Sequence, residues 1–160
     1  MDSGLPLVRI DAHSPHVATL AGWTHAEWGH LNPGRDLAAT IGHLRGDCGS
    51  AGVPSVFAVM DGERPVGTAS LVVDDMSDPR ELTPSLPSVY VLPEWRGRGI
   101  ASRLVRRVEE EARAHGVERF YLYTPDQQAL YRRLGWQDVE QREYRGEMVT
   151  IMQRDLPAPV

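Results

Sequence analysis

Arg96-Gly97-Arg98-Gly99-Ile100-Ala101-Ser102 is the stretch of this 160-residue chain whose residue types and spacing most directly suggest chemistry. Gly97 and Gly99 permit backbone angles closed to other residues and let a ligand come close to the main chain. Just before the stretch, Val89 to Leu92 reads as a strand, and it must end there because Pro93 cannot sit inside a paired central strand. Just after it, Ile100, Leu104, Val108 and Ala112 recur at every fourth position, the spacing of an amphipathic helix. A glycine-rich loop that opens a helix leaves several N–H groups without intrahelical partners at the positive end of the helix dipole. The amides of Arg98, Gly99, Ile100 and Ala101 therefore predict a phosphate cradle.

Two named phosphate loops do not fit. No Gly-Lys-Ser/Thr ending is present, and Gly97-x-Gly99 lacks the third glycine of the dinucleotide fingerprint. Arg96, Gly99 and Ala101 do fill the pattern Arg-x-x-Gly-x-Ala. After a strand and at a helix start, that pattern resembles the acetyl-CoA pyrophosphate loop of the GNAT superfamily of N-acetyltransferases. A second stretch, Thr124 to Trp136, resembles the family's second conserved helix and the turn after it, through Tyr131, Gly135 and Trp136. The resemblance is strong from Ser55 to about Leu156.

Acetyl transfer to an amine needs a held cofactor, a neutral amine, a stabilised oxyanion and a protonated or solvated leaving thiolate. The resemblance implies that acetyl-CoA lays its pyrophosphate on the loop and its pantetheine arm along Val89–Leu92. Main-chain groups near Val89 and Val91 would then bind the arm, and one N–H there would polarise the thioester carbonyl. For this, the neighbouring strand Phe120–Thr124 has to splay away. The Ser102 hydroxyl either reaches a pyrophosphate oxygen or bonds backbone or water. Tyr131 matches the family's proton donor; a thiol has a pKa of ~8.5 and a tyrosine ~10, so a tyrosine can donate as thiolate charge appears. The alternative is a core tyrosine sharing a helix face with Leu130 and Leu134. For the base, Glu27 on the first helix leads a group that includes Glu81, Asp74, Asp75, His30 and ordered water. Trp23 and Trp28 flank Glu27, either as an aromatic acceptor wall or as core residues.

The elements that must position these groups follow from pattern. Leu7, Val8 and Ile10 give a first strand. Ser14-Pro15 starts a helix that runs to about Gly29, and Arg35 to Arg45 forms a second. Ser55–Met60 and Pro65–Val73 make a hairpin across an Asp-Gly turn. Asp74 to Pro87, acidic and proline-containing, reads mainly as loop. The cradle helix stops at His115-Gly116, Arg119–Thr124 is a strand, and Asp126–Leu134 is a short helix. Gln137–Tyr144 and Met148–Arg154 form a terminal hairpin. The order β-α-α-β-β-β-α-β-α-β-β predicts an α+β fold, a mixed, mostly antiparallel sheet flanked by helices, and it resembles the GNAT fold throughout.

Composition narrows the function classes. Hydrophobic residues make up 41% and charged residues 24%, an ordinary globular balance. The length suits one domain over residues 1–160, with 157–160 as a frayed tail. A formal charge of −5 gives no electrostatic case for nucleic acid. The arginines at 96, 98, 103, 106 and 107 form a local basic patch suited to a polyanionic small molecule, or else a solvated helix face balanced by Glu109, Glu110 and Glu111. Cys48, the single cysteine, excludes an internal disulfide and a cysteine-based metal cluster. It reads as a free thiol, and no metal is called for. No apolar run approaches the ~20 residues that cross a membrane, and the N-terminus lacks a secretion-signal layout. The expectation is a cytoplasmic monomer or homodimer that acetylates a small-molecule or peptide amine. The competing readings are a non-catalytic acyl-CoA-binding module and a toxin that acetylates aminoacyl-tRNA, the latter wanting a broader basic face.

Overall fold

The computed structural model describes residues 5–28, 34, 36–72, 84–86, 89–144 and 146–156. In chain order the elements are β1 (Leu7–Arg9), α1 (Val17–Trp28), α2 (Leu37–Asp47), β2 (Ser55–Asp61), β3 (Arg64–Leu71), β4 (Val89–Val91), a 3₁₀ turn (Pro93–Trp95), α3 (Ile100–Ala114), β5 (Arg119–Thr124), α4 (Gln128–Arg133), β6 (Gln137–Tyr144) and β7 (Glu147–Asp155). The strands form two antiparallel sheets, β1-β2-β3-β4 and β5-β7-β6. The expected order of elements is present, with the 3₁₀ turn as an addition. The expected frayed tail at 157–160 and most of the acidic stretch 74–87 lie outside the described residues.

β2 is buried on both faces because helices cover both. Phe57 and Val59 point to the α3 side, where they join Ile100, Leu104, Val105 and Val108. Val56, Ala58 and Met60 point to the other side, where they join Val17 and Leu20 of α1, with Ile41 and Leu44 of α2 packed against them. Alternation of side chains across a strand produces this division. Full burial of residues such as Leu104 and Val108 contributes roughly 1.5–3 kcal/mol each relative to exposure.

Local chemistry sets the helix ends. The Asp36 carboxylate caps α2 by accepting from the Ala39 N–H at 2.8 Å. α4 begins two residues later than Asp126, because the Thr124 hydroxyl accepts from the Asp126 and Gln127 amides and holds them in a turn. A charge cluster around the buried Glu111 carboxylate ties α3 to β1 and to the loop after α2. Glu111 accepts from the Gly52 N–H at 2.6 Å and meets Arg9 at 2.9 Å, Arg107 at 3.0 Å and His115 at 3.1 Å. Burial alone would raise the Glu111 carboxyl, but the Gly52 N–H and the two guanidiniums outweigh it and hold it below its ordinary value. Among the described residues, no helix is long and apolar enough to cross a membrane.

Candidate active site

Among the described residues, the two sheets meet at segment 84–86 and then part. Segment 84–86 is stitched to both: Val72 and Ser85 exchange main-chain hydrogen bonds, Leu86 N–H donates to the Tyr121 carbonyl at 2.8 Å, and Tyr121 N–H donates to Pro84 at 3.0 Å. Among the described residues, beyond that stitch β4 pairs only with β3, and β5 pairs with β7. The parting required of the strand at 119–124 is therefore present. The register then fixes which β4 groups face the opening. Leu92 N–H donates to the Val66 carbonyl at 3.0 Å, so positions 92 and 90 exchange hydrogen bonds with β3. In an antiparallel pair the alternate residues point their N–H and C=O away from the partner strand. Those residues are Val89 and Val91, paired opposite Ala69 and Gly67. The Val91 carbonyl accepts from Arg96 Nε at 2.9 Å, while no strand among the described residues meets the Val91 N–H side.

The loop at the end of β4 folds as the spacing predicts. Gly97 and Gly99 have φ of 78° and 80°, a left-handed region that favours glycine. Gly99 is the N-cap residue of α3 and offers no capping side chain, while its carbonyl accepts the first helical bond from Arg103 N–H at 3.1 Å. The amides of Ile100, Ala101 and Ser102 thus stand at the positive end of a 15-residue helix with no side-chain cap. A Cβ at Gly97 or Gly99 would meet nothing within 4 Å, so the loop opens outward. The helix start is pinned against β3, since a Cβ at Gly67 would lie 3.0 Å from Ile100 Cγ2 and 3.2 Å from Leu104 Cδ1.

Tyr131 lies on α4, which follows β5 at the open end of the gap, and it belongs to the core cluster that Val89, Val91 and Leu92 also join. It is 7% exposed. Burial, with the Asp126 carboxylate adding to it, pushes its phenol far above the ordinary tyrosine range.

A family model for the acetyltransferase (GNAT) family matches residues 19–136. The chain belongs to that family. Thialysine N-epsilon-acetyltransferase from Mus musculus is 36% identical over 62 residues, which are 36% of this chain and 36% of the mouse protein. The chain thus matches only about a third of the length of that curated relative. A GCN5-related N-acetyltransferase structure from Rhodopseudomonas palustris superposes with a TM-score of 0.71 at 19% identity, covering 98% of each chain. An aminoglycoside 6'-N-acetyltransferase complexed with coenzyme A gives 0.71 at 16% identity, covering 98% of this chain and 100% of that one.

In this GNAT chain the remaining candidates separate by location. Tyr90 points to the opposite side of β4 from Val89 and Val91. There its ring meets Trp23 of α1 at 5.6 Å and the Arg96 guanidinium at 5.5 Å. Glu27 follows Trp23 by four residues, so both project from one face of α1, and Glu27 is exposed. His30, Asp74, Asp75, Glu81 and the Trp28 side chain lie outside the described residues. Ser102 borders a groove on the outer side of α3 with Leu7, Arg103 and Arg107.

Two arginines of the basic patch are balanced within the helix, Arg106 by Glu109 at 3.3 Å and Arg107 by Glu111, while Arg103 donates to the Leu5 carbonyl. Arg98 stacks over Trp95 at 4.9 Å. Cys48 is a free thiol, and burial, with Asp47 adding to it, pushes it up to about 11. Among the described residues, no group of three His, Cys, Asp or Glu side chains could hold a metal. Two contributors were missed in the sequence reading. Gly67, isolated in a strand, carried the signal of a close approach. Ser85 carried none, because it sits within a stretch that reads as loop.

Proposed function

We propose that this chain is an acetyl-CoA-dependent N-acetyltransferase that moves an acetyl group directly to a primary amine of a small molecule or peptide, with residues 1–160 forming one catalytic domain. The observation that carries the reading is the junction at the end of β4, where the gap-facing main chain of Val89 and Val91 runs into an uncapped helix start. These groups fit acetyl-CoA: the open space at Gly97 and Gly99 admits a bulky anion, and the strand offers amides to an extended arm. When bound, acetyl-CoA supplies an activated acyl thioester. The loop from Arg96 to Ser102, chiefly through the amides of Arg98, Gly99, Ile100, Ala101 and Ser102, takes the pyrophosphate. Val89 and Val91 hold the arm, and the Val91 N–H donates to the thioester carbonyl as negative charge builds.

Tyr131 gives its hydroxyl proton to the departing sulfur. Its raised pKa keeps the hydroxyl protonated throughout the neutral range, so a donor is always present. A thiolate formed in the same poorly solvated place is raised too, which offsets the weaker acidity. Glu27 receives the amine proton beside the aromatic wall of Trp23 and Tyr90. The relatives support an acceptor with a primary amine, since the mouse enzyme is named for an ε-amine and the neighbouring structure for an aminoglycoside.

The test is thiol release from acetyl-CoA against a panel of thialysine, lysine, spermidine, kanamycin and a peptide with a free N-terminus. Turnover with one member above the hydrolysis background is expected. Tight acetyl-CoA binding with no turnover across an extended amine panel would favour a binding module and overturn the reading.

A further inference from the structure

Glu109 is a buried carboxylate that the transfer chemistry leaves unused. It lies nine residues past Ile100 on α3, roughly 13 Å along the helix from the cradle, and its side chain is 9% exposed. Oε2 accepts from the Trp136 indole N–H at 3.2 Å. Oε1 accepts from Arg106 NH1 at 3.3 Å and faces Arg154 Nε at 3.5 Å. That Arg154 nitrogen is buried and makes no hydrogen bond to a described residue, so the carboxylate is its compensating charge.

Each partner of Glu109 also grips the chain just after α4. Arg106 NH1 donates to the Leu134 carbonyl at 3.4 Å, and Arg154 NH1 donates to the Gly135 carbonyl at 3.4 Å. Trp136 N–H donates to the Tyr131 carbonyl at 2.9 Å, and the Trp136 ring meets the Tyr131 ring edge-on at 5.9 Å. α4 has six residues and no side-chain cap at its N-terminus, too short to be stable by itself. Its orientation therefore comes from what holds its two ends. At the near end Gln128 donates to the Thr124 and Pro125 carbonyls and to the Thr150 hydroxyl. The groups around Glu109 clamp the far end, nearest Tyr131 and Gly135. A buried carboxylate with charged partners is an inefficient way to gain stability, because well-packed apolar groups often do as well or better. A directional clamp accounts for its presence.

We infer that Glu109 is a positioning residue for Tyr131, acting through Trp136 and the two arginines to fix the helix that carries the hydroxyl. The inference rests on the proton-donor role of Tyr131 proposed above. Two measurements on Glu109→Gln test it. In the free protein, amide hydrogen exchange over residues 128–136 is expected to speed up by about tenfold or more, the effect of losing one charge-assisted hydrogen bond, with residues 100–108 unchanged. In a kinetic cycle with Tyr131→Phe, using acetyl-CoA and the best amine of the panel, Glu109→Gln is expected to lower kcat by roughly tenfold in the parent. It should lower kcat by less than about twofold when the hydroxyl is already gone.

Equal losses in both backgrounds, unchanged exchange at 128–136, or an acetyl-CoA Kd that rises in step with the kcat loss would each overturn the positioning role. Parental turnover of Tyr131→Phe alone would overturn the proton-donor reading and the positioning with it, which separates the two failures. If Glu109→Gln does not fold, Trp136→Phe takes its place in both measurements. It keeps an aromatic ring but deletes the indole N–H, and the same outcomes decide.

Discussion

Replacing Gly99 by alanine separates what the loop does for the fold from what it does for an anion. Gly99 has φ of 80° and ψ of 7°, and a left-handed L-residue costs about 1–2 kcal/mol. The new methyl group meets nothing within 4 Å, so no overlap adds to that cost. At ~2–4 °C per kcal/mol for a chain of this size, Tm should fall by roughly 2–8 °C. Binding should suffer more, because the same methyl group occupies the open side from which a phosphate reaches the amides of Ile100 and Ala101. Loss of one charge-assisted hydrogen bond, ~1.5–3 kcal/mol, corresponds to an acetyl-CoA Kd raised about ten- to a hundredfold. Calorimetric titration with acetyl-CoA at fixed salt, beside thermal melts by circular dichroism, reads both effects. Arg98→Glu is the control: its guanidinium is exposed and stacked on Trp95, and its loss should cost less than about fivefold and shrink in high salt. A Gly99→Ala protein with the expected drop in Tm and an acetyl-CoA Kd within twofold of the parent would refute the cradle.

Tyr131→Phe keeps the ring and deletes the hydroxyl, so kcat should fall ~10²–10⁴-fold with acetyl-CoA Kd within about twofold; steady-state kinetics beside calorimetry read it, and loss of folded protein at unchanged turnover per folded molecule would make Tyr131 a core residue only. Glu111→Gln should destabilise the protein at neutral pH toward the lower end of ~3–5 kcal/mol, because Arg9 and Arg107 remain partly exposed. The folded Glu111 carboxyl titrates below its ordinary 4.5, so its contribution is present above that pH and is lost as pH falls through the folded value. Urea midpoints should accordingly fall less steeply below pH 4.5 in the variant, and parallel acid limbs would count against the cluster. Gly67→Ala places a methyl group 3.0 Å from Ile100 Cγ2 and should cost ~1–3 kcal/mol while also weakening acetyl-CoA binding, since it shifts the start of α3; unchanged melting would show that the approach there is not tight.

What the residues specify by themselves is local, and the overall fold was legible through the order of elements and the family resemblance. Gly97, Gly99 and the fourfold spacing from Ile100 specify a loop and a helix face within a few residues of themselves, and the Asp61-Gly62 turn specifies its own hairpin. The shorter start of α4 was a near miss of the same kind: Pro125-Asp126 looks like a helix opening, but Thr124 captures the amides first. The parting of β4 from β5 was inaccessible, because it depends on Ser85 touching Val72 on one side and Tyr121 on the other. Arginine clustering and its balance by Glu109 and Glu111 were both legible from helical spacing, while the burial of those two carboxylates is a property of the folded structure.

The same distinction divides the two halves of the candidate site. The proposed cofactor half is made mainly of amides, which every residue except proline supplies, so its sequence trace is reduced to the glycines that bend the loop and to strand parity. Parity becomes functional only once a register exists, and here one hydrogen bond from Leu92 to Val66 decides that Val89 and Val91, rather than Tyr90, face the gap. A slip of one residue would turn Tyr90's amide toward the gap and carry its ring away from Trp23, because side-chain direction and hydrogen-bond direction alternate together along a strand. Register thus couples the two halves: the alternation that aims main-chain donors at the gap also sets an aromatic ring against α1, on the side where Glu27 stands. The close contact of Gly67 with Ile100 and Leu104 fixes the height of α3 against that register. Loop, strand and aromatic wall are therefore held in one frame by β3, a strand that contributes none of the proposed chemical groups itself.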